Sequence, residues 1–508
     1  MLVFLPDHFG GIIQRYSSGP PFAIAISRTA GGVIHRQLYT WFQRAIANGT
    51  LRPGQSVPSS RALAAELAIS RAPVLCAYEQ LMAEGYLEPV RGAGTRVVRS
   101  IPGDDARQLG DARSQPDRRE GGSGKRGPRR VASFARQARG DEVQPWLRLR
   151  GAFRMHSAAL AEFPVGVWSQ LLARHARHAT PSSLDYGDSM GMPALREALA
   201  AYLGVARAVR CRGAQVIVTS GSQQALALAA RALLEPGDHI WMEEPGYPGA
   251  HQAFRAAGLR MAPVPVDGEG LVVEEGRHRC PQARAVYLTP SHQYPLGMVM
   301  SATRRLQLLQ WASRTGAWVL EDDYDSEFRY GTTPIAALQG LDADQRVIYI
   351  GTFSKVLFPS LRIGYMVLPP DLAARFAAVR DAADICPAFL HQAVAADFLR
   401  EGHFGHHVRR MRLHYQGLRD CLDHELARQL PGRLEPVGAR AGMHLAVLLP
   451  PGTSDRAISA TALARGLSLL PLSFCRLRPG ARPGLVLGYG SLSAGQIRDG
   501  VRELAACL

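Results

Sequence analysis

The residues best suited to chemistry lie in one stretch, at 351–365, which contains Lys355. Two hydroxyl groups, on Thr352 and Ser354, precede the lysine, and Arg362 follows seven residues after it. Hydroxyls and a planar guanidinium suit a phosphate, since arginine donates two parallel hydrogen bonds and each hydroxyl donates another. A lysine held beside a phosphate and shielded from water can lose its proton and form a Schiff base with an aldehyde. The stretch therefore predicts a site for a cofactor that carries both a phosphate and an aldehyde.

Two apolar runs frame this stretch, at residues 346–350 before it and 363–367 after it. Their β-branched and aromatic residues are typical of buried strands, so Lys355 is predicted to lie on a loop between two strands. Pyridoxal 5′-phosphate is the common cofactor that carries both an aldehyde and a phosphate, and we predict that Lys355 holds it as an internal aldimine. An exposed lysine in an ordinary loop is the alternative that this pattern leaves open.

A second phosphate contact is predicted after a strand at residues 215–219. The small polar turn "SGSQQ" leads from this strand into an alanine- and leucine-rich helix. The first amide groups of a helix have no partner within the helix and attract anions. The amides of Gly221, Ser222 and Gln223 are therefore predicted to complete the phosphate site, although a plain connection could have a similar sequence.

Two further strands end in residues that suit a pyridine ring. The apolar strand at 317–324 ends in acids and a tyrosine. A carboxylate at the end of a buried strand can pair with a protonated pyridine nitrogen, so Asp322 is a candidate for that role, and Tyr324 can donate to the phenolate oxygen of the ring. Tyr247, in a turn after another strand, is a candidate for stacking on the ring. Strand and helix patterns alternate throughout residues 146–508, which predicts an α/β domain with a largely parallel sheet.

The first 98 residues have a different pattern. Apolar residues recur at helical spacing in 34–47, a serine-capped helix begins near Ser59, and a third helix covers 71–84. A predicted hairpin with a basic, glycine-containing tip follows. This order predicts a winged helix-turn-helix at 29–98, after an N-terminal extension at 1–28, with its third helix in the major groove of double-stranded DNA.

The winged helix-turn-helix resembles the DNA-binding domain of GntR-type bacterial regulators. The resemblance rests on "PSSRALAAELAISR" and "GAGTRVV". It implies that DNA is contacted by Arg61, Ser70, Arg71, Arg91, Gly92, Gly94 and Thr95. Residues Ala72-Pro73 depart from the family pattern, at a place where the first turn of a helix tolerates proline. A helical cap or a protein-docking domain with a solvated basic face is the alternative.

Residues 99–145 lack apolar periodicity and include a run rich in Gly, Pro and Arg, so we predict a flexible linker. Its arginines could attract DNA phosphates or simply keep the linker soluble. A net charge of +16 over 508 residues favours a polyanionic partner. Seven scattered cysteines favour reduced thiols over disulfides or a metal site, and no membrane segment or leader is predicted. We therefore expect a cytoplasmic bacterial protein.

Residues 146–508 resemble the fold-type I pyridoxal-phosphate enzymes, the aspartate aminotransferase superfamily. The resemblance rests on "SGSQQAL", "EEPGYPGA", "TPSHQYPLG", "EDDYDSEFRY" and "GTFSKVLFPSLRIGY". Fusion to a GntR-type head resembles the MocR-type regulators, with their PdxR, GabR and TauR branches. This implies a multidomain chain, in which a winged helix precedes a large domain with a mainly parallel sheet and a smaller C-terminal α+β domain. It also implies cofactor contacts from Lys355, Asp322, Tyr324, Tyr247, Ser222, Thr352, Ser354 and Arg362.

Two departures from the aminotransferase pattern concern the substrate. Tyr294 stands where those enzymes have an asparagine before a proline, so His292 or Gln293 would have to make that polar contact. The late strand lacks the arginine that binds a substrate carboxylate, and Arg482 or Arg440 could substitute for it. A cofactor site beside an altered substrate site favours sensing over turnover.

We therefore predict a transcription regulator that depends on pyridoxal phosphate and senses either the cofactor itself or an amine such as γ-aminobutyrate or taurine. The resemblance also implies a homodimer with heads swapped between subunits and an operator with two half-sites. One alternative is an active aminotransferase with a DNA-binding tether, which would transfer amino groups to a 2-oxo acid. The other is a DNA-binding protein whose body is a dimerisation scaffold without a cofactor.

Overall fold

The computed structural model describes residues 24, 26, 33–90, 92, 94–99, 131, 134, 150–155, 157–331, 335–438, 441–480 and 482–508. These residues fall into two compact units, divided between Pro128 and Arg129. Arg91 and Arg440 lie outside the described residues, as do nearly all of the predicted N-terminal extension and linker.

The described part of the N-terminal unit contains three helices and a three-stranded antiparallel sheet. Its elements are α1 (Ile34–Ala47), β1 (Ser56–Val57), α2 (Ser60–Glu66), α3 (Arg71–Ala83), β2 (Leu87–Val90) and β3 (Gly94–Val97). The sheet order is β1-β3-β2. The hydroxyl of Ser59 accepts a hydrogen bond of 3.1 Å from the amide of Ala62 and so caps α2. Leu38 and Phe42 of α1 pack with Val74 and Leu81 of α3 in a buried core.

The predicted order of three helices and a hairpin is confirmed. The strand β1 was not predicted, because two residues are too short to show periodicity. It pairs with β3, where Val57 lies opposite Thr95, and so extends the predicted hairpin to three strands.

The C-terminal unit alternates helices and strands, as predicted. Its helices are α4 (Val165–Arg177), α5 (Pro181–Leu184), α6 (Pro193–Arg207), α7 (Ser222–Leu233), α8 (Pro248–Ala256), α9 (Val273–Arg279), α10 (Ala302–Thr315), α11 (Leu338–Leu341), α12 (Ala373–Asp384), α13 (Phe389–Arg400), α14 (His403–Gln429), α15 (Asp455–Ala464) and α16 (Ala494–Ala505). Its strands are β4 (Val216–Thr219), β5 (His239–Glu244), β6 (Arg260–Asp267), β7 (Gly270–Leu271), β8 (Ala285–Leu288), β9 (Trp318–Asp323), β10 (Val347–Thr352), β11 (Gly364–Val367), β12 (Glu435–Val437), β13 (His444–Leu448), β14 (Leu470–Pro471) and β15 (Gly484–Gly488).

Eight strands form the large sheet, in the order β4-β11-β10-β9-β8-β5-β6-β7. Strands β10, β9, β8, β5 and β6 are parallel neighbours, whereas β11 is antiparallel to both β10 and β4. Strand β4 therefore runs in the same direction as β10. Every residue of β4, β8 and β10 is buried, as expected for a sheet covered on both faces. The carboxyl ends of β4, β5, β8, β9 and β10 consequently meet at one edge, where ligands bind in folds of this kind.

The last third of the chain adds a four-stranded antiparallel sheet, in the order β12-β13-β15-β14. The segment at 151–155 is tied to this part of the fold. The amide of Ala152 donates to the carbonyl of Gly466 at 2.9 Å, and the amide of Gly488 donates to the carbonyl of Phe153 at 2.9 Å. These contacts fix the position of the next residue, Arg154.

None of the helices in the described ranges is long and apolar enough to cross a membrane. All seven cysteines are free thiols.

Candidate cofactor site and DNA-binding face

A cavity of about 290 Å³ lies at the edge where these strands end. The predicted cofactor residues that line it are Ser222, Gln223, Tyr247, Asp322, Tyr324, Thr352, Ser354, Lys355 and Arg362. Gly221 and His292, which were also predicted, are not among the lining residues. The lining is completed by six residues that were not predicted to bind the cofactor, namely Arg154, Met155, Tyr287, Thr289, Tyr294 and Pro359.

Lys355 lies in the turn between β10 and β11 and is half-buried. Withdrawal from water lowers the pKa of its ammonium group to about 7, an effect that Asp325 opposes and Arg154 strengthens. A neutral amine can attack an aldehyde, whereas an ammonium ion cannot. Near neutral pH, Lys355 therefore exists partly in the reactive form.

Three features converge where a phosphate would bind. The hydroxyl of Thr352 donates to that of Ser354 at 3.1 Å, so both face the same small region. Gly221 precedes α7, whose first amide groups receive no side-chain cap. Gly221 has a φ of +107°, and a Cβ at this position would lie 3.0 Å from Nη2 of Arg362. The missing side chain lets the guanidinium approach the positive end of α7, which fits a phosphate dianion.

Asp322 and Tyr287 form the part of the cavity that suits a pyridine nitrogen. Asp322 is buried near the end of β9, and its Oδ2 accepts a hydrogen bond of 2.8 Å from the Tyr287 hydroxyl. Its Oδ1 is buried without a partner among the described residues. Burial raises the pKa of Asp322 to about 7, although the Tyr287 hydrogen bond opposes the shift. A protonated ring nitrogen would supply the missing donor and restore the carboxylate charge, so Asp322 fits pyridoxal phosphate.

The acids next to Asp322 face other parts of the fold, because side chains alternate along a strand. Asp323 forms a buried ion pair of 2.8 Å with Arg207 and accepts a hydrogen bond of 2.7 Å from Tyr349. Asp323 is therefore structural, and Asp322 alone of this pair lines the cavity.

Two tyrosines flank the space for a flat ring. The hydroxyl of Tyr247 accepts a hydrogen bond of 3.3 Å from Nε2 of Gln223, and its ring packs edge-on against Tyr294 with centroids 5.2 Å apart. Tyr324 also lines the cavity, and its hydroxyl lies 3.0 Å from Nδ1 of His292. Both tyrosines line the cavity, and their contacts with a cofactor ring stay predictions.

The structure corrects the prediction for the polar contact that replaces the usual asparagine. His292 is 2% exposed, and its Nδ1 lies 2.9 Å from Oδ1 of Asp325, so it stands behind Tyr324 and outside the cavity lining. Gln293 is also turned away, because its side-chain amide donates to the carbonyl of Pro245 at 2.8 Å. The cavity wall at this place is formed by Tyr294 and Thr289.

The structure also corrects the candidate for a substrate carboxylate. Arg482 does not line the cavity, and its guanidinium forms an ion pair of 2.5 Å with Glu435 on the small sheet. Arg440 lies outside the described residues. Besides Arg362, the arginine of the described residues that reaches the cavity is Arg154, whose Nε donates to Ser157 at 2.7 Å. No motif marks this position in the sequence.

The described residues among the predicted DNA contacts lie at the starts of α2 and α3 and in the hairpin. Arg61 is in the first turn of α2, Ser70 precedes α3 and Arg71 begins it, and all three are exposed. Nε of Arg71 donates to the hydroxyl of Ser60 at 3.1 Å, which links the starts of the two helices. In the hairpin, Gly92 and Gly94 are exposed and Thr95 is half-buried. This arrangement suits a helix in the major groove beside a wing.

Comparison with known proteins supports both the predicted DNA-binding domain and the predicted aminotransferase-like domain. Residues 35–97 match the gntR family of bacterial regulatory proteins, and residues 159–485 match aminotransferase class I and II. The chain is 38% identical to the "Probable rhizopine catabolism regulatory protein MocR" of Rhizobium meliloti, across 95% of each chain. It is 31% identical to the pyridoxine biosynthesis transcriptional regulator PdxR of Corynebacterium glutamicum, across 93% of this chain and 95% of the other.

Among solved structures, the chain resembles the α-aminoadipate aminotransferase LysN of Thermus thermophilus, in complex with N-(5′-phosphopyridoxyl)-L-leucine. The identity is 30% and the TM-score 0.69, over 74% of this chain and 97% of LysN. The likeness covers the C-terminal part, whereas the two regulators match nearly the whole length. The chain belongs to the MocR-type regulators, in which a GntR winged helix-turn-helix is fused to a fold-type I aminotransferase domain with pyridoxal 5′-phosphate as its cofactor.

Proposed function

We propose that the chain regulates transcription by binding operator DNA with an affinity set by ligands in its aminotransferase-like cavity. The ligands are pyridoxal 5′-phosphate and a primary amine that reaches the same cavity. The observation that carries this proposal is that one chain has both exposed arginines on a winged helix and a cavity lined by nine of the predicted cofactor residues. A regulator whose DNA binding responds to a ligand in the cavity accounts for the presence of both features in one chain.

When bound, pyridoxal phosphate supplies an aldehyde that takes up primary amines and a ring that withdraws electrons. Arg362 and the hydroxyls of Thr352 and Ser354 would hold its phosphate, and Asp322 its ring nitrogen. Lys355 offers an amine that is partly neutral near pH 7. Lys355 and Asp322 are withdrawn from water, which strengthens polar contacts at these two residues.

We propose Arg154 as the contact for an acidic group on the amine. Arg154 and Arg362 are the two guanidinium groups of the described residues that line the cavity. Arg362 suits the phosphate because of its approach to Gly221. Arg154 lies near enough to Lys355 to help lower the pKa of its ammonium, so it is close to the nitrogen that an incoming amine must replace. An amino carboxylate or amino sulfonate therefore fits better than a simple alkylamine.

We further propose that the functional form is a homodimer with exchanged heads, as the resemblance to MocR-type regulators implies. Two winged helices on one dimer would contact two half-sites on the operator, and the bodies would set the spacing between them. A ligand can shift DNA affinity only by its different affinity for the two arrangements of the dimer.

Thermodynamic reciprocity tests the proposal. Operator DNA must change the apparent affinity for the ligand by the same factor as the ligand changes the affinity for DNA. The full-length protein is titrated with pyridoxal phosphate, and then with amino carboxylates and amino sulfonates, with and without saturating operator. Titrations that superimpose for every ligand would contradict ligand-gated regulation.

Transamination is the second candidate function. It is favoured by Lys355 and Asp322, whose arrangement would also serve catalysis, and by the 30% identity to LysN. Sustained conversion of a 2-oxo acid to an amino acid, over many turnovers and without any effect of DNA on the rate, would favour this candidate over regulation.

A further inference from the structure

Behind Tyr324 lies a group of three buried side chains, His292, Asp325 and His444, with exposures of 2%, 1% and 6%. Nδ1 of His292 is 2.9 Å from Oδ1 and 3.0 Å from Oδ2 of Asp325. The same Nδ1 is 3.0 Å from the hydroxyl of Tyr324. None of the three buried residues lines the cavity, whereas Tyr324, whose hydroxyl lies 3.0 Å from Nδ1 of His292, does line it.

Nδ1 of His292 cannot form a hydrogen bond with Asp325 and also accept the hydroxyl hydrogen of Tyr324. If Asp325 is ionised, it can only accept, and Nδ1 must carry the hydrogen that the carboxylate accepts. If Asp325 is protonated, its hydroxyl donates to the lone pair of Nδ1. In either case Nδ1 has no lone pair left for the hydroxyl of Tyr324. The hydroxyl hydrogen of Tyr324 must therefore point elsewhere.

The backbone at two glycines, Gly442 and Gly297, lies close to the cluster, where a side chain would crowd it. A Cβ at position 442 would lie 2.2 Å from Cε1 of His292 and 2.6 Å from Oδ2 of Asp325. A Cβ at position 297 would lie 3.1 Å from Nε2 of His292. The backbone of both glycines therefore lies close to the His292 ring, and a side chain at either position would disturb the contact between Nδ1 and Asp325.

Other charged or titratable groups face the pair. The groups that interact electrostatically with Asp325 are Lys355, Asp322, Arg329, Tyr324, Tyr330 and Tyr489. Besides Tyr324, His444 faces His292, with ring centroids 5.0 Å apart, and Nε2 of His444 lies 3.2 Å from the carbonyl of Pro295. Burial lowers the pKa of His444 well below its usual range, so its ring is neutral and adds no charge to the cluster.

We propose that Asp325 and His292 are positioning residues that keep the hydroxyl hydrogen of Tyr324 directed into the cavity, where it is donated to the ring oxygen of bound pyridoxal phosphate. Because Asp325 is hydrogen-bonded to Nδ1 of His292, Nδ1 cannot accept the hydroxyl hydrogen of Tyr324. The donated hydrogen bond stabilises the ionised ring oxygen, so it lowers the pH at which the bound chromophore titrates. The inference rests on the proposed cofactor contact of Tyr324.

The test is the midpoint of the pH titration of visible absorbance in the full-length, cofactor-loaded protein. Asp325→Ala frees the lone pair of Nδ1, so Tyr324 turns its hydrogen to His292 and the midpoint rises by roughly one pH unit. Loss of the Asp325 charge alone would act in the opposite direction, because a nearby negative charge disfavours the ionised oxygen. The sign of the shift therefore separates positioning from a purely electrostatic role.

Three further variants make the test decisive. Asp325→Leu fills the same space without a polar atom and should raise the midpoint like Asp325→Ala, which covers the case in which the alanine variant does not fold. Asp325→Asn still occupies Nδ1 and should not raise it. In a Tyr324→Phe background, Asp325→Ala should add less than about 0.3 pH unit, since the two changes remove one interaction. A full additional rise in that background would overturn the inference.

Two controls distinguish the positioning role from a missing cofactor contact and from a bound metal. A wild-type protein without a visible band would contradict the cofactor contact itself, whereas a normal band with additive shifts would contradict only the positioning role. The donor atoms of His292, Asp325 and His444 lie within 4.8 Å of one another, a spacing that could also hold a metal ion. Stoichiometric metal in the wild-type protein that is lost in Asp325→Ala would overturn the hydrogen-bond assignment.

Discussion

The hydroxyl of Tyr287 donates a hydrogen bond of 2.8 Å to Oδ2 of Asp322, while Oδ1 of the same carboxyl has no partner in the described part of the chain. One oxygen is thus held by the protein, while the other remains available on a residue that lines the cavity. The hydrogen bond also restrains the pKa of Asp322, which burial raises to about 7. Tyr287 therefore affects both the orientation and the charge of the group expected to bind the ring nitrogen.

We expect cofactor affinity to depend on pH differently in the Asp322→Asn and Tyr287→Phe variants. Asp322→Asn cannot carry a negative charge, so cofactor affinity should fall about 10- to 100-fold, the range for a hydrogen bond to a charged group. Tyr287→Phe should raise the pKa of Asp322 further. Its affinity defect should be larger at pH 6 than at pH 8, because the carboxyl regains its charge as the pH increases. Absorbance titrations at several pH values measure both effects, and a pH-independent Tyr287→Phe defect would contradict the assignment.

The lowered pKa of Lys355 gives a second prediction. The neutral fraction of an amine with a pKa of about 7 rises as the pH increases from 6 to 8, so the rate of covalent cofactor capture should rise over the same range. Lys355→Ala should abolish the visible absorbance band. The sequence contains only one other lysine, Lys125, so Lys125→Ala is a complete control. Borohydride treatment should fix the cofactor on the Lys355 peptide, and fixation on Lys125 would refute the site.

Gly221 and Gly237 form a matched pair for testing the phosphate site. Both have a strongly positive φ, +107° and +99°, so alanine at either should lower the free energy of unfolding by roughly 1–3 kcal/mol. A Cβ at position 221 would also press on Arg362, whereas no atom lies within 4 Å of one at position 237. We expect Gly221→Ala alone to weaken cofactor binding. Equal cofactor affinities in the two variants would argue against a phosphate contact at Arg362.

Arg154 and Arg482 test where an acidic group on the amine binds. Arg154→Gln should leave the cofactor band in place and weaken the response to amino carboxylates by about tenfold or more, since a charged hydrogen bond contributes roughly 1.5–3 kcal/mol. Arg482→Gln should change this response little, because Arg482 pairs with Glu435 outside the cavity. The response is measured as the spectral change on adding amine, and the opposite ranking would restore Arg482 as the candidate.

The local parts of the site could be predicted from the sequence. Lys355 is framed by apolar runs on both sides, and the turn before α7 follows its strand directly, so short-range patterns were sufficient. Tyr287 was not predicted, because its contact depends on the register of β8 against β9, where Tyr287 lies opposite Leu320. Contacts of that kind are set by pairing between distant segments.

The arginines show the same limit over longer distances. Arg154 reaches the cavity because its neighbours hydrogen-bond to Gly466 and Gly488, more than 300 residues away in the sequence. Arg482 was a reasonable candidate by position in the chain, but its ion pair with Glu435 depends on how the small sheet folds. In both cases the decisive partner lies far away in the sequence, where residue type and spacing give no signal.

The DNA-binding face gives the last prediction. Arg61 and Arg71 are exposed at the starts of α2 and α3, and Arg44, in the last turn of α1, is an exposed arginine that was not predicted to contact DNA. Arg61→Ala and Arg71→Ala should each weaken operator binding and make the dependence of log affinity on log salt shallower by about one, because one phosphate contact is lost. The cofactor spectrum should remain unchanged. Arg44→Ala should affect neither property, and a loss of affinity as large as that of Arg71→Ala would show that net charge, and not this face, binds DNA.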